Sequence, residues 1–140
     1  MGQIIRDEDH VVRYIGGKKI DQGRIQASAF FLKKDQKYLS VNWIEFFGQP
    51  NLADAVREIR GVFGRKEYKL GASARFAVLN VGEAKSFVLE GTEQIYRIFF
   101  TEEALSDDPS HAGINGITQE NQMMIGEILS EAVQDTFSAR

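Results

Sequence analysis

The chain of 140 residues contains no cysteine, two prolines and two histidines. The missing cysteine excludes disulfides, thiolate metal sites and a cysteine nucleophile, and is compatible with a cytoplasmic protein. With two prolines and no low-complexity or Pro/Ser-rich stretch, a linker has nowhere to sit, so one globular domain over 1–140 is the expectation. A basic excess is missing too: 17 Lys and Arg stand against 20 Asp and Glu, for a net charge of −3. Phosphate neutralisation supplies most of the affinity of a duplex-binding protein, so nucleic acid is not favoured as a partner, although charge can still segregate to a local basic face. No run of five or six like charges suggests a tail. No apolar run nears the ~18 residues of a membrane span, and MGQIIRDEDH lacks the basic-then-apolar order of a secretory signal. Gly2 is followed at position six by Arg6 rather than Ser or Thr, against myristoylation.

What is present is apolar material: 43% of the residues are hydrophobic and ten of the aromatics are Phe, which argues against disorder. Residues 1–10 read as a flexible N-terminal arm. Val11 to Ile15 is β-rich and stops at Gly16-Gly17. Arg24 to Leu32 alternates, with Ile25, Ala27, Ala29 and Phe31 on one face, as a half-buried strand does. Tyr38 to Ile44 alternates again, with Leu39, Val41 and Trp43 opposite Ser40 and Asn42. A helix follows, with Asn51 as N-cap, an apolar row of Leu52, Ala55, Val56, Ile59 and Phe63, and a stop at Gly64. Strands return at 74–81, 86–89, 94–100 and 111–117. Thr118 opens a last helix reaching about Phe137, its apolar face carrying Ile125, Leu129 and Val133. The expectation is α+β: a mostly antiparallel sheet of five to six strands packed against two helices, the C-terminal one longest.

The stretch SDDPSHAGI, 106–114, holds one of the two histidines among acids, a serine and a proline. Its plainer reading is a turn: Pro109 extends Asp108, and Asp107, Asp108 and Ser110 bond the local backbone. The functional reading makes His111 a general base or acid, oriented by Asp107 or Asp108, with Ser110 contacting ligand. His10 lies beside Asp7, Glu8 and Asp9, but neighbours on an extended chain point to opposite faces, so no metal set is expected. The two histidines lie outside any His-x-Thr/Ser pattern, so a two-histidine phosphoesterase is disfavoured. Arg13 suits a phosphate or carboxylate, and equally a structural salt bridge with Glu45 or an acid near His111. Asn42 and Ser40 line either a solvated sheet face or a groove. Gly61-x-x-Gly64 follows a helix and Gly113-x-x-Gly116 lacks a basic residue, so neither is a phosphate loop.

LSVNW at 39–43 and DPSHAGI at 108–114 resemble signatures of a small bacterial protein family. Its members open with a strand like VVRYI, continue with a hairpin like SAFFLKKDQKYLSVNW, and carry Asp-Pro-Ser-His before a C-terminal helix. The resemblance spans roughly 11–133. No activity is established for that family, so it implies none here, but it strengthens His111 and the Asn42 face as site candidates.

Together these readings favour a cytoplasmic bacterial binding or accessory module acting through a protein partner, with no cofactor and no membrane. A homo-oligomer is left open. The alternative is a small metal-independent nuclease or nucleotide-processing enzyme, with His111 as base, Arg13 on phosphate, and Asn42, Asp108 or Ser110 positioning substrate. A third reading is a small-ligand binder with a pocket between sheet and last helix.

Overall fold

The computed structural model describes residues 2–140. Eight strands form in chain order: β1 His10–Ile15, β2 Ile20–Asp21, β3 Arg24–Ile25, β4 Leu39–Trp43, β5 Arg75–Asn80, β6 Phe99–Glu102, β7 His111–Asn115 and β8 Asp135–Ser138. Three helices accompany them: α1 Leu52–Arg65, α2 Val81–Gly91 and α3 Gln122–Ala132. Six strands build one sheet in the order β6-β7-β4-β1-β5-β8, antiparallel at every junction, and β2-β3 is a separate hairpin. The architecture is the expected α+β class with a mostly antiparallel sheet.

Period-two alternation gives the sheet two different faces. Val11, Leu39, Val41, Ala77, Leu79, Ala112 and Ile114 point one way, into a core shared with Val88 of α2 and Ile125 and Leu129 of α3. Val12, Phe76 and Val78 point the other way, against Ala55, Val56 and Ile59 of α1. The sheet is therefore the middle of three layers. Each fully buried Val, Leu, Ile or Phe in these cores contributes about 1.5–3 kcal/mol.

The α1 layer covers only β1, β5 and β8. On the same face, β4, β7 and β6 carry Ser40, Asn42, His111, Gly113, Asn115 and Thr101, with Phe99 the apolar exception at the start of β6. One sheet face is thus half hydrophobic and half polar, and the polar half is where the candidate site residues fall.

Several expectations need correction. There are three helices, not two. α2 occupies the segment read as a strand at 86–89: Asn80 caps it by accepting from the Glu83 amide at 2.8 Å, and Val81, Ala84 and Val88 are buried at helical spacing. The C-terminal helix is not the longest, at 11 residues against 14 for α1. It begins after Asn121 rather than at Thr118, and Val133, extended, releases the chain into β8, which pairs with β5. Arg24 to Leu32 is not one strand: after β3 a 3-10 turn over Ala27–Phe30 buries Ala29 and Phe30. The strand placed at 94–100 begins at Phe99.

The N-terminal segment is also docked rather than free. Ile5 donates its amide to the Phe100 carbonyl, Glu102 donates to the Gln3 carbonyl, and Ile5 is buried in the core. Residues 3–5 so run along the outer edge of β6, and His10 already belongs to β1. Met1, the first residue of the expected arm, lies outside the described residues.

The opposite edge is closed by side chains. The outward carbonyls of β8 are those of Thr136 and Ser138. Thr136 accepts from Arg75, Ser138 accepts from Arg60 at 2.6 and 2.9 Å, and the Thr136 amide donates to the Asp135 side chain. Both edges are thereby blunted against strand addition.

Candidate functional site

Strand pairing brings the two sequence signatures together. β4 pairs with β7 so that Asn42 stands directly opposite His111, and Ser40 opposite Gly113. Upstream of β7 the chain turns tightly. Leu105 and Asp108 exchange backbone hydrogen bonds across the Ser106-Asp107 tip, and the His111 amide donates to the Asp108 carbonyl. Pro109 is the second residue of that turn, where its fixed φ suits the geometry. The segment SDDPSHAGI does turn, but the Asp108 and Ser110 side chains bond each other and partners from other elements rather than the local backbone, because the Asp108 carboxylate points inward.

That carboxylate is 1% exposed. Asn42 Nδ2 donates to both of its oxygens at 2.9 and 3.0 Å, Ser110 Oγ donates to Oδ1 at 2.9 Å, and Lys66 Nζ reaches Oδ2 at 3.4 Å. Asn42 Nδ2 also lies 2.9 Å from Ser110 Oγ. Lys66 comes from the C-terminal cap of α1 and sits 5.1 Å from the Tyr68 ring centroid. Burial lowers the affinity of the Lys66 amine for its proton, but the charge and hydrogen bond of Asp108, with smaller help from Tyr68 and Asp107, raise its pKa overall above the ordinary 10.5. Among the described residues no buried side-chain nitrogen or oxygen lacks a partner. The fully buried groups of the network are therefore all satisfied. It clamps the 105–111 turn to β4 and to the end of α1.

His111 is half-buried beside this network. Its Nδ1 lies 2.9 Å from the Glu103 carbonyl. A carbonyl only accepts, so Nδ1 carries the proton and Nε2 is the basic nitrogen of the neutral ring. The Tyr38 ring lies 5.8 Å from it, over Gly113, where a Cβ would meet the ring at 2.5 Å. Gly113 is thus small because an aromatic ring lies on the sheet there. Burial and then the Glu103 charge push the Tyr38 phenol above its ordinary pKa. Thr101 donates to Glu103 Oε2 at 2.6 Å and accepts from Asn115 Nδ2 at 2.9 Å, fixing the floor beside them.

Of the residues proposed from sequence, His111, Asn42, Asp108 and Ser110 come together. Arg13 does not join them. It pairs with Ala77, on the opposite sheet face from Asn42 and His111. Its Nε donates to the Ala29 carbonyl at 3.1 Å and its Nη1 to the Ser40 carbonyl at 2.7 Å. β1 and β4 pair only through Val11 and Val12, so Arg13 bridges the strands beyond that point. The salt bridge expected for it is replaced by these carbonyls, and burial pushes its pKa down to about 10. His10 is held elsewhere, with Nδ1 2.6 Å from Glu45 Oε2 and its amide donating to Oε1. Asp9 accepts from Trp43 Nε1 at 2.9 Å and from Arg6. Among the described residues no group of three or more His, Cys, Asp or Glu could hold a metal ion.

Sequence reasoning missed Lys66, Tyr38 and Glu103. All three reach the site from loops or element ends, where neither periodicity nor motif spacing marks a contact. It also missed a surface on the other side of the molecule. Among the exposed large apolar residues are Phe87 on α2, Ile95 after it, and Met123 and Met124 on α3. Between the helices runs a groove of about 450 Å³ lined by Phe87, Glu90, Gly91, Ile128, Glu131 and Ala132. A Cβ at Gly91 would lie 2.7 Å from Ile128, so the glycine lets the helices close up at the groove floor. The pattern Asn80-x-x-Glu83 was the signal that could have located α2 and placed Phe87 off its buried stripe.

A second cleft, of about 970 Å³, lies between the β2–β3 hairpin and α3, with Asp21, Arg24, Gln26, Glu127 and Ser130 in its wall. None of the candidate site residues His111, Arg13, Asn42, Asp108 and Ser110 lines it. No helix is long and apolar enough to cross a membrane among the described residues. Comparison of the chain with protein-family models, curated proteins and solved structures finds no match. The resemblance carried by LSVNW and DPSHAGI therefore rests on those stretches alone.

Proposed function

We propose that this chain is a bacterial, cytoplasmic accessory module that acts by binding a protein partner through the α2–α3 surface. One observation carries the reading: Phe87 and Met124 are 43% and 48% exposed on helices whose other faces form the core. Met124 lies one turn from Ile128 of the groove, so the two share a helix face. A Phe in a shallow groove with methionine beside it is the composition of an adaptable protein-binding surface. The polar cluster around Asp108 supports the same reading from the other side, because the Asp108 carboxylate is used in holding the fold.

The test is affinity capture from the source cells with the whole chain, beside Phe87→Asp, Met124→Asp and, outside the groove lining, the equally exposed Phe46→Asp. The expected result is one protein retained in stoichiometric amount by the wild type and by Phe46→Asp, lost with the other two, and rebinding when purified. Capture that is absent, or indifferent to Phe87 and Met124, overturns the reading.

One observation favours the enzyme alternative. The carbonyl of Glu103 fixes the His111 tautomer, as the partner of a general base does. Against it, Arg13 faces away and Lys66 is engaged with Asp108, so neither of these cations is free to hold a phosphate beside the ring. A nucleotide mixture that displaces the His111 ring signals in an NMR pH titration, with ribonuclease activity lost in His111→Ala, would restore it.

A further inference from the structure

The α2–α3 surface is charged in one sense. α2 and α3 carry Glu83, Glu90, Glu127 and Glu131 against the single cation Lys85, and Lys85 is engaged with Asp7 at 2.7 Å. Four acids against one base in these two helices match the net −3 of the whole chain, so the remaining residues are balanced. Neither helix has a basic residue in its last turn. Glu90 and Glu131 themselves line the apolar groove, one from each helix.

Resting on the proposed partner-binding role, we infer that the occupant of this groove is a cationic amphipathic α-helix of another protein. Three features converge on that chemistry. The groove floor is apolar and lies between two packed helices, which is the geometry into which the ridge of a third helix fits. Its rim presents carboxylates from both sides, which attract Lys and Arg flanking an apolar stripe and set orientation and on-rate. Strand addition is closed off at both sheet edges, by residues 3–5 along β6 and by Arg60, Arg75 and Asp135 along β8. A second copy of this chain would bring the same carboxylates against each other, and an anionic lipid surface would meet the same repulsion.

The experiment uses the full chain labelled for NMR and three synthetic peptides of about four helical turns. One is Leu/Lys with helical spacing of Leu, one is Leu/Glu with the same spacing, and one is Leu/Lys with strict alternation. The helically spaced Leu/Lys peptide is expected to bind, with shifts confined to α2 and α3. Its affinity should fall about tenfold or more in Glu90→Lys/Glu131→Lys, in Phe87→Asp, and with added salt. The double charge reversal should also reverse the preference toward Leu/Glu. Equal binding of Leu/Glu or of the alternating peptide, shifts centred elsewhere, or self-association of the chain through this face would overturn the inference. Its failure is separable from failure of the accessory role. A captured partner that needs Phe87 but cross-links to α2–α3 through an acidic or non-helical segment would end this inference and leave the role intact. Absence of any Phe87-dependent partner would end both.

Discussion

The cluster around Asp108 and the groove between α2 and α3 are opposites in both sequence and structure. The first is made of an acid, an amide, a hydroxyl and an ammonium, the residue types from which active sites are built. In the fold they bond one another: Asp108 receives Asn42, Ser110 and Lys66, and it is buried. The second is made of Phe, Met, Ile and Glu, which draw no notice in a sequence. In the fold its aromatic ring and thioether stay exposed. Chemical potential on the page of a sequence is a statement about unpaired groups, and pairing reverses it: reactive types become scaffold, and ordinary apolar types become the unspent surface.

Substitutions can break this contrast in order of size. Asp108→Ala should cost most, about 3–5 kcal/mol, because it strands the Lys66 ammonium and removes the acceptor shared by Asn42 and Ser110. Urea unfolding followed by Trp43 fluorescence measures it. A loss below about 1 kcal/mol would mean that the network is not what holds the turn. Lys66→Met should cost less, about 1–3 kcal/mol, since Asp108 keeps its other two donors. Here pH adds a check. The folded Lys66 pKa is raised above 10.5, so its contribution is complete below that value and is lost as pH rises through the folded value. The gap between wild type and Lys66→Met should be flat from neutrality to about pH 10 and close above it. Arg13→Met should cost about 1 kcal/mol. It frees two carbonyls, at Ala29 and Ser40, but relieves the burial of a charge that has no acid partner. A cost as large as that of Asp108→Ala would show that the Arg13 bridge, not the Asp108 clamp, carries this end of the sheet.

How much of this was legible follows from what each residue interacts with. The alternation of Leu39, Ser40, Val41 and Asn42 is local, and it gave the two faces of β4 correctly. The Asn51 cap and the apolar row behind it gave α1. The stretch 86–89 reads as a strand because Phe87, Val88 and Leu89 are adjacent and β-prone, whereas burial selects Val81, Ala84 and Val88 at helical spacing. The last helix was read too long because Phe137 continues its apolar periodicity, while the chain in fact becomes β8 beside β5, a pairing across some sixty positions that no window contains. Asn42, Asp108 and Ser110 were singled out for the right reason, their capacity to hydrogen-bond, and their meeting was set by the β4–β7 register. Lys66 arrives from the end of another layer. Arg13 faced away because one residue of strand register turns a side chain to the other face.

The smallest expected effect is the most informative about the groove. Phe87→Ser removes an aromatic ring, a change that costs about 3–5 kcal/mol in a core. Phe87 is instead 43% exposed while its neighbours Ala84 and Val88 form the buried stripe of α2. The expected change in unfolding free energy is therefore at most about 1 kcal/mol, read from the same urea curves with an unchanged slope. If the ring were holding α2 to α3, the loss would be several times larger and the far-UV helical signal would begin to fall first. A stability-neutral Phe87→Ser that nevertheless abolishes partner capture separates folding from binding at one residue. Substitutions in the Asp108 cluster do not make that separation, because its carboxylate, the Asn42 amide nitrogen and the Ser110 hydroxyl are engaged in holding the fold.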